Sequence, residues 1–364
     1  MGEQLSLENL QSLAKLLNPN FLGQIVLLKS EDNQNYPQKN LYFVDPDSTN
    51  SQAHRLGVMI PAAENSNLEN NQLNLAKPFK VFYQNAFGPN VGNPSISPEY
   101  RLALYELYKR ESLSELWTKI DQSSPEVLPI GALFVGVDEN GQYDPEVTDQ
   151  LAKRGYDSYI ISMGNNTLPG NDIVAFVNLI AIKKISPEAK LEIMTLVPPE
   201  GTTIPQDYKP DQEEIKRLLV ANSPMIKITQ LGEKPLLLVN LYMSSFTNLE
   251  TRLANLKNLV KIITQNESQV VLLGHFENTG CDNVQIYDPK IYTEKEIQEL
   301  AELENALIKQ IFTEAGIEFW LNPEGHKGFF GLKLMGVASN IPIKTRSEPN
   351  SVLPRASSQV TVMP

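Results

Sequence analysis

The sequence is poor in covalent staples. It has one cysteine, Cys281, in 364 residues. No disulfide can form within the chain, and a zinc site built from several thiolates is excluded. A lone cysteine fits a reducing compartment, or a secreted protein that does without disulfides. Positive charge is also scarce. Lys and Arg total 31 against 43 Asp and Glu, a formal net charge of -12. Such a chain repels a phosphate backbone unless a local basic patch offsets it. The densest cluster is Lys183-Lys184, which reads as a solvated strand end, so nucleic acid is not expected as a partner. No window has the apolar length of a transmembrane helix. The opening MGEQLSLENLQSLAKLL lacks the basic start and apolar core of a secretory signal. Met1-Gly2 with Ser6 fits only a loose myristoylation pattern. The expectation is a cytoplasmic protein, or one that reaches a host cell without an ordinary signal peptide.

What remains is ordinary for a globular protein. Hydrophobic residues make up 41% and charged residues 20%, and this length can bury a sizeable core. Residues 5–17 carry leucines near helical spacing. A polar stretch over residues 63–75 (AENSNLENN at its centre) reads as a linker. It divides an N-terminal extension, 1–75, from a main domain, 76–364. In the main domain, strands are expected at 79–85, 130–137, 159–161, 173–183, 190–197, 225–230, 236–240, 270–273, 317–321, 332–337 and 359–362. Paired strands are expected near 218–220 and 225–230. Helices are expected at 98–120, 145–154, 248–265 and 293–315, with Gly155 and Gly316 as C-caps. The clearest is 248–265, where Leu249, Leu253, Leu256, Leu259, Val260 and Ile263 share one face. Strands alternating with helices in this order suit mixed sheets covered by helices.

Residues 235–279 carry the most specific pattern. A strand ends in Asn240-Leu241-Tyr242, a helix bears Arg252, and a second strand ends in Gly274-His275-Phe276-Glu277. This resembles the endonuclease/exonuclease/phosphatase superfamily of metal-dependent deoxyribonucleases, abasic-site endonucleases, inositol phosphatases and sphingomyelinases. Its members have a strand ending Asn-x-His, an Arg-bearing helix and a strand ending Gly-Asp-x-Asn. Residues 79–85 resemble the opening strand, which ends on a metal-site Asn, here Asn85. Residues 127–137 resemble the strand that ends in Gln-Glu, with Gly136 in the place of the Glu and Asp138 and Glu139 nearby. Residues 332–337 match the strand bearing a late Asp, replaced by Gly331. Ser357-Ser358-Gln359-Val360 stands where the family ends in Ser-Asp-His. The resemblance spans residues 77–364 and implies an α/β fold, a four-layer α/β sandwich of two packed mixed β-sheets covered by helices.

The family hydrolyses phosphate esters. That chemistry needs carboxylates for Mg²⁺, a hard ion that takes oxygen ligands, and a His–Asp pair to handle water. On this threading Tyr242 replaces the His of Asn-x-His. His275 and Glu277 replace the Asp and Asn of Gly-Asp-x-Asn, and Ser358 and Gln359 replace the terminal Asp and His. Asn85 and Asn240 are retained. Neutral imidazole offers one donor and one acceptor and cannot act as an anionic acceptor. Losing groups that act as a unit costs about 10³-fold or more in rate. The expectation is a catalytically degenerate member that binds a protein or a phosphate-bearing ligand with no cofactor.

Other readings stay open at this point. The block 235–279 also reads as a plain strand–helix–strand unit. His275 reads as a satisfied strand-end residue, and His326 as a loop residue in a Gly- and Pro-marked turn. Alternatively, Tyr242, His275, Glu277 and Asp282 cluster at adjacent strand ends. His275 with Glu277 would then serve a divergent hydrolase, with Mg²⁺ if that chemistry survives. Cys281 with a histidine would be a nucleophilic pair.

Overall fold

The computed structural model describes residues 24–27, 29–31, 38–43, 54–63, 72–86, 97–139, 142–168, 173–197, 223–243, 249–265, 267–276, 293–321, 326–328, 331–347 and 357–363. The strands in chain order are β1 (Gln24–Leu27), β2 (Lys29–Glu31), β3 (Lys39–Phe43), β4 (His54–Ile60), β5 (Phe79–Asn85), β6 (Val127–Val137), β7 (Tyr156–Thr167), β8 (Ile173–Lys183) and β9 (Ala189–Val197). They continue with β10 (Met225–Gln230), β11 (Leu236–Tyr242), β12 (Gln269–Phe276), β13 (Glu318–Leu321), β14 (His326–Gly328), β15 (Gly331–Ser339), β16 (Ile343–Ser347) and β17 (Ser357–Val362). The helices are α1 (Pro98–Leu107), α2 (Ser114–Ser123), α3 (Pro145–Lys153), α4 (Leu249–Thr264) and α5 (Glu294–Glu314). A π-helical turn, Tyr108–Leu113, joins α1 to α2.

Two sheets result. The first has the order β1-β9-β10-β11-β12-β15-β13, with β14 also on β15, and the second has the order β16-β17-β5-β6-β8-β7-β4-β3-β2. Both are mixed: β11 and β12 run parallel in the first, β5 and β6 in the second. Three apolar clusters define the layers. Leu116, Ile120, Val147 and Leu151 bury the outer face of the second sheet under α2 and α3. Val81, Ile180, Leu238 and Val271 lie between the sheets. Leu253, Val260, Ile308 and Phe312 cover the outer face of the first sheet. The order helix, sheet, sheet, helix is the four-layer sandwich that the resemblance implies.

Local chemistry explains the elements. In β8 the run IVAFVNLIAIK is buried on both faces save exposed Ile173 and half-buried Phe176, as a strand covered on two sides must be. Asp144 caps α3 by accepting from the Glu146 N–H, with Pro145 at the first turn. Thr293 and Glu296 close a capping box on α5. Gly155 and Gly316 end α3 and α5 with φ of 78° and 70°, the left-handed conformation that glycine adopts without a Cβ penalty.

The described N-terminal strands belong to the same two sheets. β1 pairs with β9, while β4 pairs with β7. The expected linker at 63–75 therefore falls between two strands of the second sheet, and Leu73 and Leu75 are buried in the inter-sheet core. The helix expected at 5–17 and the strand at 218–220 lie outside the described residues. No helix among the described residues is long and apolar enough to cross a membrane.

Candidate functional site

One sandwich edge collects the strand ends singled out in the sequence. In the second sheet, Asn85 closes β5 opposite Gly131 of β6. On the other flank of β5, Ser358 pairs with Tyr83 and Gln359 with Phe82. In the first sheet, Tyr242 closes β11 opposite His275 of β12. His275 in turn faces Met335 of β15. Glu277, Cys281 and Asp282 lie outside the described residues. His326 lies on β14 opposite Lys333.

Asn240 joins the two groups. Its side chain is fully buried, and Nδ2 donates to the Ile130 carbonyl at 2.9 Å and the Leu179 carbonyl at 2.8 Å. Those carbonyls belong to paired residues of β6 and β8, so one amide of the first sheet ties two strands of the second. Ile130 also faces Gln84, which places this tie one residue from the Asn85 end. The ladder explains why the carbonyls are within reach: β6 bulges between Ile130 and Leu133, and a bulge leaves ladder groups unpaired.

In the register of β5 on β6 the residue beside Asn85 is Gly131, and Gly136 lies farther along β6. Gly131 has a steric reason to lack a side chain, since a Cβ there would meet the Tyr83 hydroxyl at 2.5 Å. Gly274 has one too: its Cβ would stand 2.1 Å from the Leu241 carbonyl oxygen. The glycine that the resemblance shares is thus explained by close approach of β12 to β11.

Beneath the edge lies a polar seam. Tyr83, buried between the sheets, makes no hydrogen bond through its hydroxyl, and neither does Asn240 Oδ1. Burial holds the Tyr83 phenol well above the usual tyrosine range, hence protonated. Asn178 is fully buried in β8, and its Oδ1 lies 3.7 Å from where a Gly131 Cβ would stand. Sequence reading passed over Tyr83 and Asn178. Two signals were available: Tyr83 sits two residues before Asn85, on the same strand face, and Asn178 interrupts an apolar run. Across the edge the Tyr242 ring packs edge-on to Phe176 at 5.9 Å, and Phe176 packs on Phe134 at 5.0 Å. The Tyr242 N–H donates to Ser223 Oγ at 3.0 Å.

The Arg of the helix is occupied elsewhere. Arg252 on α4 makes a two-pronged pair with Glu304 on α5, Nε to Oε1 at 2.8 Å and Nη2 to Oε2 at 2.9 Å. Both side chains are buried, at 1% and 0% exposure. The pair clamps the two helices over the first sheet.

The fit of a hard cation can be tested on these residues. Mg²⁺ sites rest on carboxylates, and the described strand-end positions hold Asn85, Gly131, Tyr242, His275, Ser358 and Gln359. That set does not fit the ion. Among the described residues no three of His, Cys, Asp and Glu gather as a metal group.

No known family's sequence profile matches the chain, and no curated protein does. Solved structures that resemble it include an endonuclease/exonuclease/phosphatase from Beutenbergia cavernae, at 11% identity and TM-score 0.43, covering 79% of this chain and 71% of that one. ANGEL2, a 2′,3′-cyclic phosphatase, aligns at 10% identity and TM-score 0.43 over 78% of this chain and 96% of its own. A family protein from Bacteroides thetaiotaomicron aligns at 9% identity and TM-score 0.40 over 79% and 97%. At these values the likeness bears on no residue's role.

Proposed function

We infer that this chain is a binding protein built on an endonuclease/exonuclease/phosphatase-type sandwich, with a site edge that no longer supports metal-dependent ester hydrolysis. The observation that carries the reading is the identity of the residues at the edge. An amide, a glycine, a phenol, an imidazole, a hydroxyl and a second amide stand at the register positions Asn85, Gly131, Tyr242, His275, Ser358 and Gln359. Hydrolysis of this type needs carboxylates to hold the cation and a base to activate water. A ligand need only be met by hydrogen bonds, ring faces and shape. The same reading extends to a bacterial protein delivered into host cells, on the grounds of its acidic, Asn-containing composition alone; a translocation reporter fused to the full chain and found only in the producing cell would end that extension.

The test is turnover. The purified full chain should leave bis(p-nitrophenyl) phosphate intact with Mg²⁺ or Mn²⁺ added, and its melting temperature should not move with either ion, because a ligand specific for the native state stabilises it. Metal-dependent turnover that disappears in the double variant His275→Ala/Glu277→Ala would overturn the reading.

A further inference from the structure

The first sheet carries another kind of donor at its open end. β12 and β15 run antiparallel, with Leu273 opposite Val337 and then His275 opposite Met335. Leu273 and Val337 are both 1% exposed and lie between the sheets. Residues two apart in a strand share a face. His275 and Met335 therefore hold the next step of that face, where the apolar inter-sheet core gives way to the site edge. Residues directly opposed in an antiparallel pair stand about 4.5–5.5 Å apart at Cβ.

A second histidine meets the same strand. His326 of β14 pairs with Lys333, which precedes Met335 by two residues on the same face. Diagonal neighbours in a ladder are roughly 7–8 Å apart, within reach of long side chains. The chain has only three histidines in 364 residues. Two of them thus stand in register beside one methionine, while His54 lies on β4 of the other sheet.

This donor set is unlike that of a hard-cation site. Thioether sulfur is a soft ligand that selects Cu(I), and imidazole suits copper as well. The neighbouring register positions carry no carboxylate: Tyr242 stands opposite His275, and Lys333 opposite His326. At a given distance a lysine repels a monovalent ion half as strongly as a divalent one. The Tyr242 ring packs edge-on to Phe176 at 5.9 Å, so the flank on β11 is aromatic. Low charge and a soft donor both point to the same ion.

Resting on the reading of this edge as a binding site without hard-metal hydrolysis, we propose that His275, Met335 and His326 form a site for one Cu(I) ion across β12, β15 and β14. The methionine supplies the preference for copper over zinc, and the two imidazoles complete a three-ligand set. The ion is bound and released as Cu(I), with no change of oxidation state.

The experiment titrates the purified full chain with Cu(I), kept reduced by ascorbate, against the chelator bicinchoninate. The parent should retain one copper per chain. His275→Ala and Met335→Leu should each weaken binding about tenfold or more, since losing even an outer partner of a metal ligand costs about 10- to 100-fold. His326→Ala should weaken it in the same direction. Cys281→Ser, which removes the only thiol, should leave binding unchanged. X-ray absorption at saturating copper should show a sulfur ligand in the parent and in Cys281→Ser, and none in Met335→Leu. That signature in the parent and Cys281→Ser supports the site even where a histidine variant fails to fold. Four results overturn the proposal: no copper held against the chelator, copper lost in Cys281→Ser, an unchanged sulfur signal in Met335→Leu, or Zn²⁺ held as tightly as Cu(I). Failure of copper binding alone removes this site and leaves the binding reading in place, whereas Mg²⁺- or Mn²⁺-dependent phosphodiester turnover removes that reading itself.

Discussion

Two buried polar sites lie on the first sheet, one under helices and one against its partner sheet. Over the outer face, Arg252 and Glu304 use two parallel hydrogen bonds and are closed to solvent. Between the sheets, Asn240 uses its amide hydrogens on two carbonyls, but its Oδ1 and the nearby Tyr83 hydroxyl make no hydrogen bond. The first site is a self-satisfied clamp. The second is incompletely satisfied, and it lies directly under the strand ends that form the site edge. Polar groups left over in a core ask for an explanation, while a saturated pair asks for none beyond holding its helices. The resemblance drew attention to both Arg252 and Asn240, and the structure separates them: one anchors a layer, the other joins the layers beneath the site.

This contrast can be broken by substitution. The largest effect is expected at the clamp. Arg252→Met strands Glu304 as an unpaired buried charge and should cost about 3–5 kcal/mol of unfolding free energy in denaturant titration, whereas Arg252→Met/Glu304→Leu should recover most of it. A double variant as unstable as the single one would mean that the pair acts beyond its own charges. Next comes Asn240→Ala, which removes the donors to Ile130 and Leu179 and should cost roughly 2–4 kcal/mol by the penalty for unmet buried carbonyls. A loss below the error of chemical denaturation would show that the inter-sheet tie is dispensable.

Smaller still is Tyr83→Phe. Deleting a buried hydroxyl that makes no hydrogen bond should change stability by less than about 1 kcal/mol, with a gain as the favoured sign. A marked loss in a thermal melt would mean that the hydroxyl is engaged in the folded protein. The smallest effect is sought at the surface. The Arg154 hydrogen bonds hold the Asp121 carboxyl below its ordinary pKa of 3.8. A depressed folded-state pKa gives stability that is present above pH 3.8 and is lost as pH falls through the folded value. Asp121 is largely exposed, so solvent screens the gain. Asp121→Asn should slightly flatten the acid limb of the stability–pH profile and leave neutral pH almost unchanged; a variant whose acid limb overlays that of the parent would remove this assignment.

Much of the architecture was legible in the sequence because it rests on short-range patterns. The apolar face of residues 248–265 and the apolar runs at 236–240 and 270–273 became α4, β11 and β12 in their expected places. Gly155 and Gly316 ended their helices as expected. The site was legible only in part. Tyr242 and His275 are neighbours because β11 and β12 pair in parallel, which a strand–helix–strand pattern implies. That Gly131 is the neighbour of Asn85 follows from the β5–β6 register, which no local pattern in the sequence announces. The role of residues 63–75 was obscured by their polar composition, although Leu73 and Leu75 bury themselves between the sheets.

By itself the sequence determined the helix–sheet–sheet–helix plan and the identity of each strand-end residue, since periodicity and residue identity are local properties. Tertiary structure alone decided which residue stands beside Asn85, that Arg252 closes on Glu304, and that Asn240 spans the sheets. Those contacts join residues far apart in the chain, up to 110 positions for Asn240 with Ile130. They depend on register, bulges and layer packing, which are fixed only when the two sheets close on each other.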